Sequence, residues 1–291
     1  MFHKMFMVII TEFLSNETKS YTNVMNKQKV LNGQEVAEYI KERQARQVAG
    51  LNKTPCLAIV RTNDDQVTDL YLRIKQRYAN DIGVDVKVLK STEVDSENII
   101  KKLNQDPTID GIIIQLPLAD QTKTDVLLNM VSQSKDVDGL AKSSEFDPPT
   151  PLGILWLLSA YNIELSGKSI LVVGQGRLVG LPLTKLLGSS GYKVLTADES
   201  TKDLKSICLD SDIIISAVGK SGLIRADMIK AGAVIIDSGT SSEGGAVVGD
   251  VAEDVRKLPN IAITPIKGGV GPMTVAALFE NLIQATIKHQ Q

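Results

Sequence analysis

Short apolar runs alternate with helix-like segments along most of the chain. Several runs have the length of β-strands and carry valine and isoleucine on both faces, a pattern typical of parallel strands covered by helices. The predicted strands are 56–61, 84–89, 110–115, 169–173, 192–196, 212–216, 233–237 and 261–264. The predicted helices are 33–49, 66–80, 96–104, 152–160, 179–188 and 272–287. This alternation predicts an α/β protein built from doubly wound parallel sheets.

A proline-rich stretch, FDPPTPLG, interrupts the alternation at residues 146–153. Prolines at this density would end a continuing helix or strand, so we place a domain boundary here. The predicted domains are residues 25–147 and 148–271, preceded by an N-terminal extension at 1–24. The final helical pattern, within 272–291, could pack on either domain, and its sequence alone does not decide between them.

The N-terminal segment MFHKMFMVIITEFL is apolar but does not predict a membrane anchor. Lys4 and Glu12 interrupt it, and the stretch is too short to span a bilayer. No small-residue cleavage site follows, so a secretory signal is not predicted either. We expect residues 1–24 to be a loose extension whose removal leaves activity and thermal stability unchanged.

Charge and residue counts exclude several classes of function. The net charge of -2, without a cluster of basic and aromatic residues, makes nucleic acid an unexpected partner. The histidines, His3 and His289, lie near the ends, which excludes a central catalytic histidine or zinc site. Cys56 and Cys208 lie in or beside apolar runs and fit buried thiols in a reducing, cytoplasmic setting better than a disulfide. Any chemistry must therefore use Lys, Tyr, Asp, Gln or a bound cofactor.

The sequence LVVGQGRLVG is typical of a strand that leads into a glycine-rich turn and then a helix. Such turns bind the pyrophosphate of a dinucleotide, because glycines let the backbone approach and a helix N-terminus favours an anion. The glycines are Gly174, Gly176 and Gly180, and the third comes one residue later than in the usual fingerprint. Gln175 stands where a cation would help to bind an extra phosphate. The turn predicts a dinucleotide site and leaves the choice of cofactor open at this point.

Three shorter motifs carry polar residues suited to catalysis. In TDLYLRIK, Tyr71 and Lys75 are four residues apart and therefore share one face of a helix. Gln115 ends a buried strand in DGIIIQLPL, and open α/β sheets bind ligands at the carboxyl ends of their strands. KDVDGL sets Asp136 and Asp138 in a turn. Taken singly, each motif is explained as well by solvated surface residues or a loop cap.

A further motif, TPIKGGVGPMT at 264–274, combines glycine and proline and indicates a tight loop against a ligand or another backbone. Taken in order, the tyrosine–lysine pair, QLPL, KDVDG, PPTPLG, the glycine turn, GDV and GGVGPMT resemble the motifs of one family. The sequence resembles the bifunctional methylenetetrahydrofolate dehydrogenase/methenyltetrahydrofolate cyclohydrolase family over roughly residues 28–288. GGVGPMT, QLPL and KDVDG are the most diagnostic of these motifs.

The resemblance implies two doubly wound α/β domains that flank a cleft, the second of them a Rossmann-type dinucleotide-binding domain. It also implies that the last helix, within 272–291, returns to the N-terminal domain and that the chain forms a homodimer. The implied reactions are oxidation of 5,10-methylenetetrahydrofolate by hydride transfer to NAD or NADP, and hydrolysis of the 5,10-methenyl product to 10-formyltetrahydrofolate. Both reactions belong to one-carbon metabolism, and neither requires a metal.

The resemblance further implies roles for single residues. In the family, the residue matching Tyr71 stacks on the pterin ring, the one matching Lys75 is the central catalytic group, and the one matching Gln115 supports it. The residue matching Asp138 binds the amino edge of the pterin, where a carboxylate can accept two hydrogen bonds. The loop residues expected to line the folate and nicotinamide pocket are Gly268, Gly269, Val270 and Pro272. The residues expected to bind the cofactor are Gly174, Gln175, Gly176, Arg177, Gly180, Asp198 and Glu199.

Departures from the family at the cofactor site favour NAD over NADP. Gln175 replaces the arginine usual in the family, which removes a partner for the 2′-phosphate of NADP. Asp198 and Glu199 follow the next strand about 20 residues beyond the turn, the usual place of an acid that binds the ribose hydroxyls of NAD. Arg177 could still reach a 2′-phosphate, and the two acids could be ordinary surface residues. The alternative function is a non-catalytic folate-binding or regulatory homologue with a decayed dinucleotide site.

Overall fold

The structure, a computed structural model, describes residues 28–63, 66–243 and 246–290. The predicted extension at 1–24 lies outside the described residues. The strands are β1 (Lys29–Val30), β2 (Cys56–Arg61), β3 (Asp85–Lys90), β4 (Gly111–Ile114), β5 (Ile170–Val173), β6 (Val194–Ala197), β7 (Ile213–Ser216), β8 (Val234–Asp237), β9 (Ser241–Glu243), β10 (Ala246–Val248) and β11 (Ala262–Ile263). The helices are α1 (Gly33–Ala49), α2 (Gln66–Ile82), α3 (Glu93–Gln105), α4 (Thr124–Met130), α5 (Pro149–Ala160), α6 (Gly180–Ser189), α7 (Leu204–Asp210) and α8 (Val270–His289). Short 3-10 helices cover Gln121–Lys123, Ala226–Met228 and Val255–Lys257.

The chain divides into two compact units. The three-stranded unit comprises Glu38–Pro149 and the chain from Val275 onward, and the six-stranded unit comprises Thr150–Thr274 and the described residues up to Ala37. The predicted first domain, 25–147, had included the residues before Glu38. They lie in the six-stranded unit because β1 pairs in parallel with β11 there.

All strands of the three-stranded unit are parallel, in the order β3-β2-β4. The central strand β2 is buried along its whole length. Its alternate residues enter two different cores. Leu57 and Ile59 pack in one core with Phe279 of α8, whereas Ala58 and Val60 pack in the other with residues of α3 and α4. Burial on both faces explains the continuous apolar run CLAIV.

The six-stranded unit contains a parallel sheet in the order β6-β5-β7-β8-β11-β1. Strands β5 and β7 are fully buried, which their valine and isoleucine runs predicted. Leu171, Ile214 and Ile235 come from three neighbouring strands and share one core cluster with the Cys208 side chain. Strands β9 and β10 form a separate antiparallel pair.

Each sheet reverses its strand order at one point. After β2 the chain places β3 on one side and β4 on the other, and after β5 it places β6 on one side and β7 on the other. In open parallel sheets, ligands bind in the crevice outside the carboxyl ends of the strands at such a switch point. The residues that follow β2 and β4, and those that follow β5 and β7, are therefore the candidates for function.

Several elements differ from the sequence-based prediction. The pattern did not predict β1, α4 and α7, because stretches of 2, 7 and 7 residues are too short to show a hydrophobic period. Helix α8 begins at Val270 rather than at 272, with Pro272 in its first turn, where proline's missing N–H has no helical partner to lose. Helix α5 likewise begins at Pro149, inside the predicted boundary stretch.

Candidate active site

A lysine and a glutamine form a direct hydrogen bond at the switch point of the three-stranded sheet. Lys75 lies on α2, which follows β2, and Gln115 is the residue after β4. Nζ of Lys75 donates to Oε1 of Gln115 at 2.9 Å. The Gln115 side-chain amide donates to the Leu116 carbonyl at 2.9 Å, and its backbone N–H donates to the Val60 carbonyl at 2.8 Å. These contacts hold the amide with its oxygen toward the lysine.

Asp138 is the charged partner of Lys75 in this site. Burial lowers the pKa of Lys75, and the negative charge of Asp138 opposes that shift. Burial raises the pKa of Asp138, and the positive charge of Lys75 opposes that one. The site therefore holds a lysine that loses its proton more readily than a solvated lysine does. Such a group is suited to proton transfer with a bound ligand.

The surface of α2 near Lys75 is apolar and exposed. Tyr71 is 38% exposed, and Leu70 and Ile74 on the same helix are 46% and 42% exposed. Tyr71 and Lys75 both lie within the regular helix Gln66–Ile82, so they share one face as their spacing predicted. A partly exposed aromatic ring in this position is available to stack on a flat heterocycle.

The KDVDG stretch forms a turn that its own side chains hold in place. Nζ of Lys135 donates to two carbonyls at the C-terminal end of α3, at 3.0 and 2.7 Å. The Asp136 carboxylate accepts the Ala141 N–H at 2.8 Å, and burial raises the pKa of Asp136 to about 6. Gly139 has a φ of +64°, and a Cβ there would lie 2.7 Å from a backbone carbonyl oxygen. These contacts fix the backbone that carries Asp138, so Asp136 is a structural residue rather than a solvated turn acid.

A buried asparagine on α8 also holds this turn. Nδ2 of Asn281 donates to the Val137 and Asp147 carbonyls, both at 2.9 Å. Gly111 permits this packing, because a Cβ there would lie 2.7 Å from Leu282 and 2.8 Å from Val137. Asn281 was not predicted from the sequence. Its only signal was a polar residue within an apolar helix, and its partners are 144 and 134 residues away.

The glycine turn after β5 has two glycines that the fold requires and one that it does not. Gly174 has a φ of +89°, and a Cβ there would lie 2.6 Å from the Ala217 carbonyl oxygen. A Cβ at Gly180 would lie 1.8 Å from the Gly174 carbonyl oxygen, so α6 can approach the turn only with glycine there. A Cβ at Gly176 would meet no atom within 4 Å. The backbone at Gly176 therefore borders open space, where a phosphate group fits.

The neighbours of this turn bear on its charge. Nε2 of Gln175 donates to the Gly174 carbonyl at 3.1 Å, so this side chain lies along the turn and adds no charge. The Gly174 N–H donates to the Ala197 carbonyl at 2.8 Å, which brings Asp198, the next residue, beside the turn. The Asp198 carboxylate accepts the Ser200 backbone N–H at 2.9 Å and its hydroxyl at 2.6 Å, and these bonds lower the pKa of Asp198. Arg177 and Glu199 are exposed.

The GGVGPMT motif lies in the six-stranded unit. Gly268 has a φ of +80°, and its carbonyl accepts the Gln34 N–H at 2.8 Å. Gly269 is buried against α1, where a Cβ on Gly33 would lie 1.9 Å from the Gly269 carbonyl oxygen. The expectation that four motif residues belong to one loop needs correction. Gly268 and Gly269 are in the loop, whereas the other two are in the first turn of α8, as given above.

Metal-binding groups, membrane-spanning helices and free thiols are further features that bear on function. The part of the chain that the structure describes contains no group of three or more His, Cys, Asp and Glu side chains that could hold a metal ion. Among the helices described, none is long and apolar enough to cross a membrane. Cys56 and Cys208 are free and buried, and burial raises the pKa of Cys208 to about 11.

Fold and geometry together define a class of protein. One unit has a parallel sheet with a glycine turn at its switch point, an arrangement that binds dinucleotides. The other unit has a lysine of lowered pKa beside a glutamine and an aspartate, at the switch point of its own sheet. This combination is typical of a cofactor-dependent α/β enzyme.

Family models identify the enzyme class more closely. The model for the tetrahydrofolate dehydrogenase/cyclohydrolase catalytic domain matches residues 31–138. The model for the NAD(P)-binding domain of tetrahydrofolate dehydrogenase/cyclohydrolase matches residues 148–290. The chain belongs to the tetrahydrofolate dehydrogenase/cyclohydrolase family.

Individual relatives agree with this assignment. The chain is 36% identical over 274 residues to bifunctional protein FolD of Campylobacter concisus, covering 88% of this chain and 97% of that protein. Its identity to FolD of Staphylococcus saprophyticus is also 36%, covering 88% and 96%. The crystal structure of bifunctional FolD from Campylobacter jejuni has a TM-score of 0.85 at 34% identity, covering 90% and 99% of the two chains. FolD of Trypanosoma brucei, solved with NADP and an inhibitor, has a TM-score of 0.85 at 29% identity, covering 92% and 100%.

The predicted family, fold class and reactions are confirmed by these comparisons. The chain is an enzyme that oxidises methylenetetrahydrofolate with a nicotinamide cofactor and hydrolyses methenyltetrahydrofolate. The alternative function, a non-catalytic homologue with a decayed dinucleotide site, receives no support.

Proposed function

We propose that Lys75, Gln115 and Asp138 carry out the hydrolysis of the methenyl group, with Tyr71 stacked on the pterin ring. The observation that carries this proposal is the 2.9 Å hydrogen bond from Lys75 to Gln115 at the switch point, with Asp138 as the charged neighbour of the lysine. One unit thereby supplies a proton acceptor, the group that orients it and a carboxylate for the ligand.

The hydrolysis needs water to add to the methenyl carbon and to lose a proton. A C–O bond forms at that carbon as the water loses its first proton. The second proton leaves the oxygen when the C=O bond forms and the carbon's bond to one folate nitrogen breaks, and that nitrogen takes up a proton. The formyl group stays on the other nitrogen, and one proton is released overall. Lys75 in its neutral form accepts the proton from the attacking water, and burial favours this form by lowering its pKa. Gln115 orients the amine through the oxygen that accepts its hydrogen bond.

Asp138 binds the folate and tunes the lysine. Its carboxylate accepts hydrogen bonds from the amino edge of the pterin. Its negative charge also favours the protonated form of Lys75, which opposes the lowering of the Lys75 pKa by burial. Tyr71 on the same helix as Lys75 contributes an aromatic face to the pterin.

The test of these roles is the rate of methenyltetrahydrofolate hydrolysis by Lys75→Met. We expect a loss of about a hundredfold or more, since a positioned proton acceptor contributes that much. Arg77→Met is the matched control, because it removes an exposed cation from the same helix. Hydrolysis by Lys75→Met at the rate of Arg77→Met, in two equally folded variants, would remove Lys75 from the mechanism.

The oxidation depends on the relative positions of the hydride donor and acceptor rather than on acid–base chemistry. A bound nicotinamide ring supplies the acceptor for the hydride. The turn at Gly174, Gly176 and Gly180 holds the pyrophosphate at the start of α6, where Gly176 leaves the space open. The family resemblance implies that the two loop glycines and the first turn of α8 contact the bound ligands. The methenyl cation left after hydride loss is stabilised by its two nitrogens, so the protein's task is to align the ligands.

For the cofactor, we propose NAD in preference to NADP. Asp198 lies beside the turn and is negatively charged, because its bonds to Ser200 lower its pKa. A carboxylate there accepts hydrogen bonds from the ribose hydroxyls of NAD and repels the 2′-phosphate of NADP. Gln175 adds no cation, and loss of an arginine–phosphate contact costs NADP about 1.5–3 kcal/mol. Both effects have the same sign. The exposed residues Arg177 and Glu199 are next in sequence to Gly176 and Asp198.

Steady-state kinetics with each cofactor test this preference. The wild-type enzyme should have the higher kcat/KM with NAD, and Asp198→Ser combined with Gln175→Arg should move the ratio toward NADP by about tenfold or more. Glu253→Gln removes an exposed acid elsewhere in the same unit and should leave the ratio unchanged. A higher kcat/KM with NADP in the wild-type enzyme would contradict the proposal.

We also propose that the enzyme works as a homodimer in the cytoplasm. Two free buried thiols, Cys56 and Cys208, suit a reducing compartment. The resemblance to the family supports the dimer. Sedimentation equilibrium of the purified protein tests it, and a molecular mass of 31.5 kDa, that of one chain, would contradict it.

A further inference from the structure

Within the part of the chain that the structure describes, one buried carboxylate of the six-stranded unit binds a single short segment through its side chain. Asp250 is completely buried. Its Oδ2 accepts the Ser216 hydroxyl and the Val218 backbone N–H, both at 2.7 Å. Its Oδ1 accepts the Lys220 backbone N–H at 2.8 Å. All three donors lie in the segment 216–220, which runs from the last residue of β7 into the loop that follows.

This segment forms the side of the switch-point crevice that faces the glycine turn. The Ala217 N–H donates to the Val173 carbonyl at 2.8 Å. The Ala217 carbonyl oxygen approaches Gly174 so closely that a Cβ there would lie 2.6 Å from it. The Val218 side chain is 42% exposed, and its Cγ2 would lie 3.0 Å from the same Cβ. The position of segment 216–220 therefore sets the width of the crevice beside the turn.

Asp250 is itself held by a second buried carboxylate. Asp237, at the end of β8, accepts the backbone N–H groups of Asp250 and Val251 at 2.9 and 3.2 Å and pairs with Arg256 at 3.0 Å. Two glycines make room for the pair of acids. A Cβ at Gly249 would lie 2.0 Å from the Asp237 carboxylate, and one at Gly239 would lie 2.0 Å from that of Asp250. This packing explains why Gly249 of the GDV motif is a glycine, which the sequence pattern alone did not explain.

We infer that Asp250 is a positioning residue for the nicotinamide cofactor. By accepting three hydrogen bonds, it fixes segment 216–220 in place before the cofactor binds, so that the crevice beside the glycine turn is preformed. A preformed site binds its ligand more tightly because the loop loses no conformational entropy when the ligand binds. This inference rests on the proposed role of the glycine turn in binding the cofactor.

The hydrogen-bond pattern requires a carboxylate rather than an amide. Asparagine has one oxygen and one NH₂ group, whereas Asp250 presents acceptors to two backbone N–H groups on different oxygens. In one orientation of an asparagine, the NH₂ would face the Lys220 N–H, and in the other it would face the Val218 N–H. Either orientation leaves one end of the segment without its acceptor. Asp250→Asn is therefore a nearly isosteric change that should release the loop.

Asp212→Asn is the matched control. Asp212 precedes the other end of β7 and also accepts from a serine, with the Ser169 backbone N–H at 2.8 Å and its hydroxyl at 2.9 Å. Both of these bonds go to Oδ2, so the single oxygen of an asparagine can keep them. The control also loses an ion pair with Lys230 at 2.8 Å, which lies on the surface. It thus changes a carboxylate at the other end of β7 without touching segment 216–220.

The experiment measures equilibrium NAD binding by calorimetry, together with methenyltetrahydrofolate hydrolysis in the absence of nucleotide. Asp250→Asn should weaken NAD binding by about tenfold relative to Asp212→Asn. Its hydrolysis rate should stay within about twofold of wild type, since the proposed hydrolytic residues belong to the other unit. Ser216→Ala, which removes one of the three donors, should weaken NAD binding in the same direction and by less.

Two outcomes would overturn the inference. Equal NAD affinity of Asp250→Asn and Asp212→Asn would show that the loop needs no fixing for cofactor binding. A parallel fall of NAD affinity and hydrolysis in Asp250→Asn, with Ser216→Ala unchanged, would show a purely structural role. Gly176→Val distinguishes this failure from failure of the cofactor site itself. If that variant binds NAD normally, the proposed role of the glycine turn is wrong, and the inference about Asp250 falls with it.

Discussion

The two units have the same topological feature and fill it with different groups. In each sheet the strand order reverses at one strand, β2 in one unit and β5 in the other. At β5 the crevice is bordered by backbone, with Gly174 and Gly176 in the turn and segment 216–220 opposite. At β2 and β4 the groups are the side chains of Lys75 and Gln115, with Asp138 as their charged neighbour. One switch point has the space for close approach of a ligand, and the other has groups suited to proton transfer.

This difference shows how one fold pattern serves two tasks. Backbone N–H groups and glycines bind a phosphate without chemistry of their own, so sterics decide which residues can stand there. The pKa of a buried lysine depends on the balance between burial and a nearby negative charge, so electrostatics determine which residues suit the other switch point. Substitutions should therefore separate the two activities.

The largest effect is expected from a side chain added to the glycine turn. Gly176→Val places methyl groups in the open space that the pyrophosphate needs, without a clash in the free protein. We expect NAD binding to weaken by about a hundredfold or more, since we propose that the turn holds the pyrophosphate. Gly188→Val is the control, because Gly188 is also open but lies on α6 outside the turn. Calorimetry with both variants checks the prediction, and equal NAD affinity would contradict it.

The next effect concerns folate binding in the three-stranded unit. Asp138→Ala removes the carboxylate proposed to bind the pterin amino edge. A hydrogen bond to a charged group contributes about 1.5–3 kcal/mol, so folate affinity should fall by about ten- to a hundredfold. NAD affinity, measured in parallel, should not change. Unchanged folate affinity and turnover would return Asp138 to the role of a solvated turn acid.

A smaller and more diagnostic effect is a shift in pH dependence. If neutral Lys75 accepts the proton, kcat/KM for hydrolysis rises with pH and levels off above the pKa of Lys75. The charge of Asp138 opposes the lowering of that pKa, so Asp138→Asn should lower it further and move the rising limb to lower pH. Asp81→Asn removes an exposed acid from α2, the helix that carries Lys75, and should leave the rising limb at the same pH. A limb that stays fixed, or moves to higher pH, in Asp138→Asn would contradict the assignment.

Local patterns in the sequence were sufficient to predict most of the fold. The runs CLAIVR and ILVV are almost wholly apolar and rich in β-branched residues, and they are followed by Thr62 and Gly174, so β2 and β5 were predictable. Strand β1 was not, because two residues become a strand only through pairing with β11, more than 200 residues later in the chain. Helices α4 and α7 were not predictable either, because each has only 7 residues, too few to show a hydrophobic period.

The site was predictable where its residues act locally and unpredictable where they act across the chain. The helical spacing of Tyr71 and Lys75 and the position of Gln115 after a strand were visible in the sequence. Asn281 and Asp250 were not, because their partners are 134 or more residues away in the first case and 30 or more in the second. Buried polar residues of this kind must be hydrogen-bonded, but the sequence does not say to what.

The claim that the two activities are separable is decided by the hydrolytic activity of Gly176→Val. The measurement is the rate of methenyltetrahydrofolate hydrolysis by this variant with no nucleotide present. We predict a rate within about twofold of wild type, although the same protein should no longer bind NAD measurably. A hydrolysis rate that falls in step with NAD affinity would contradict the claim, since it would show that the glycine turn is needed for both reactions.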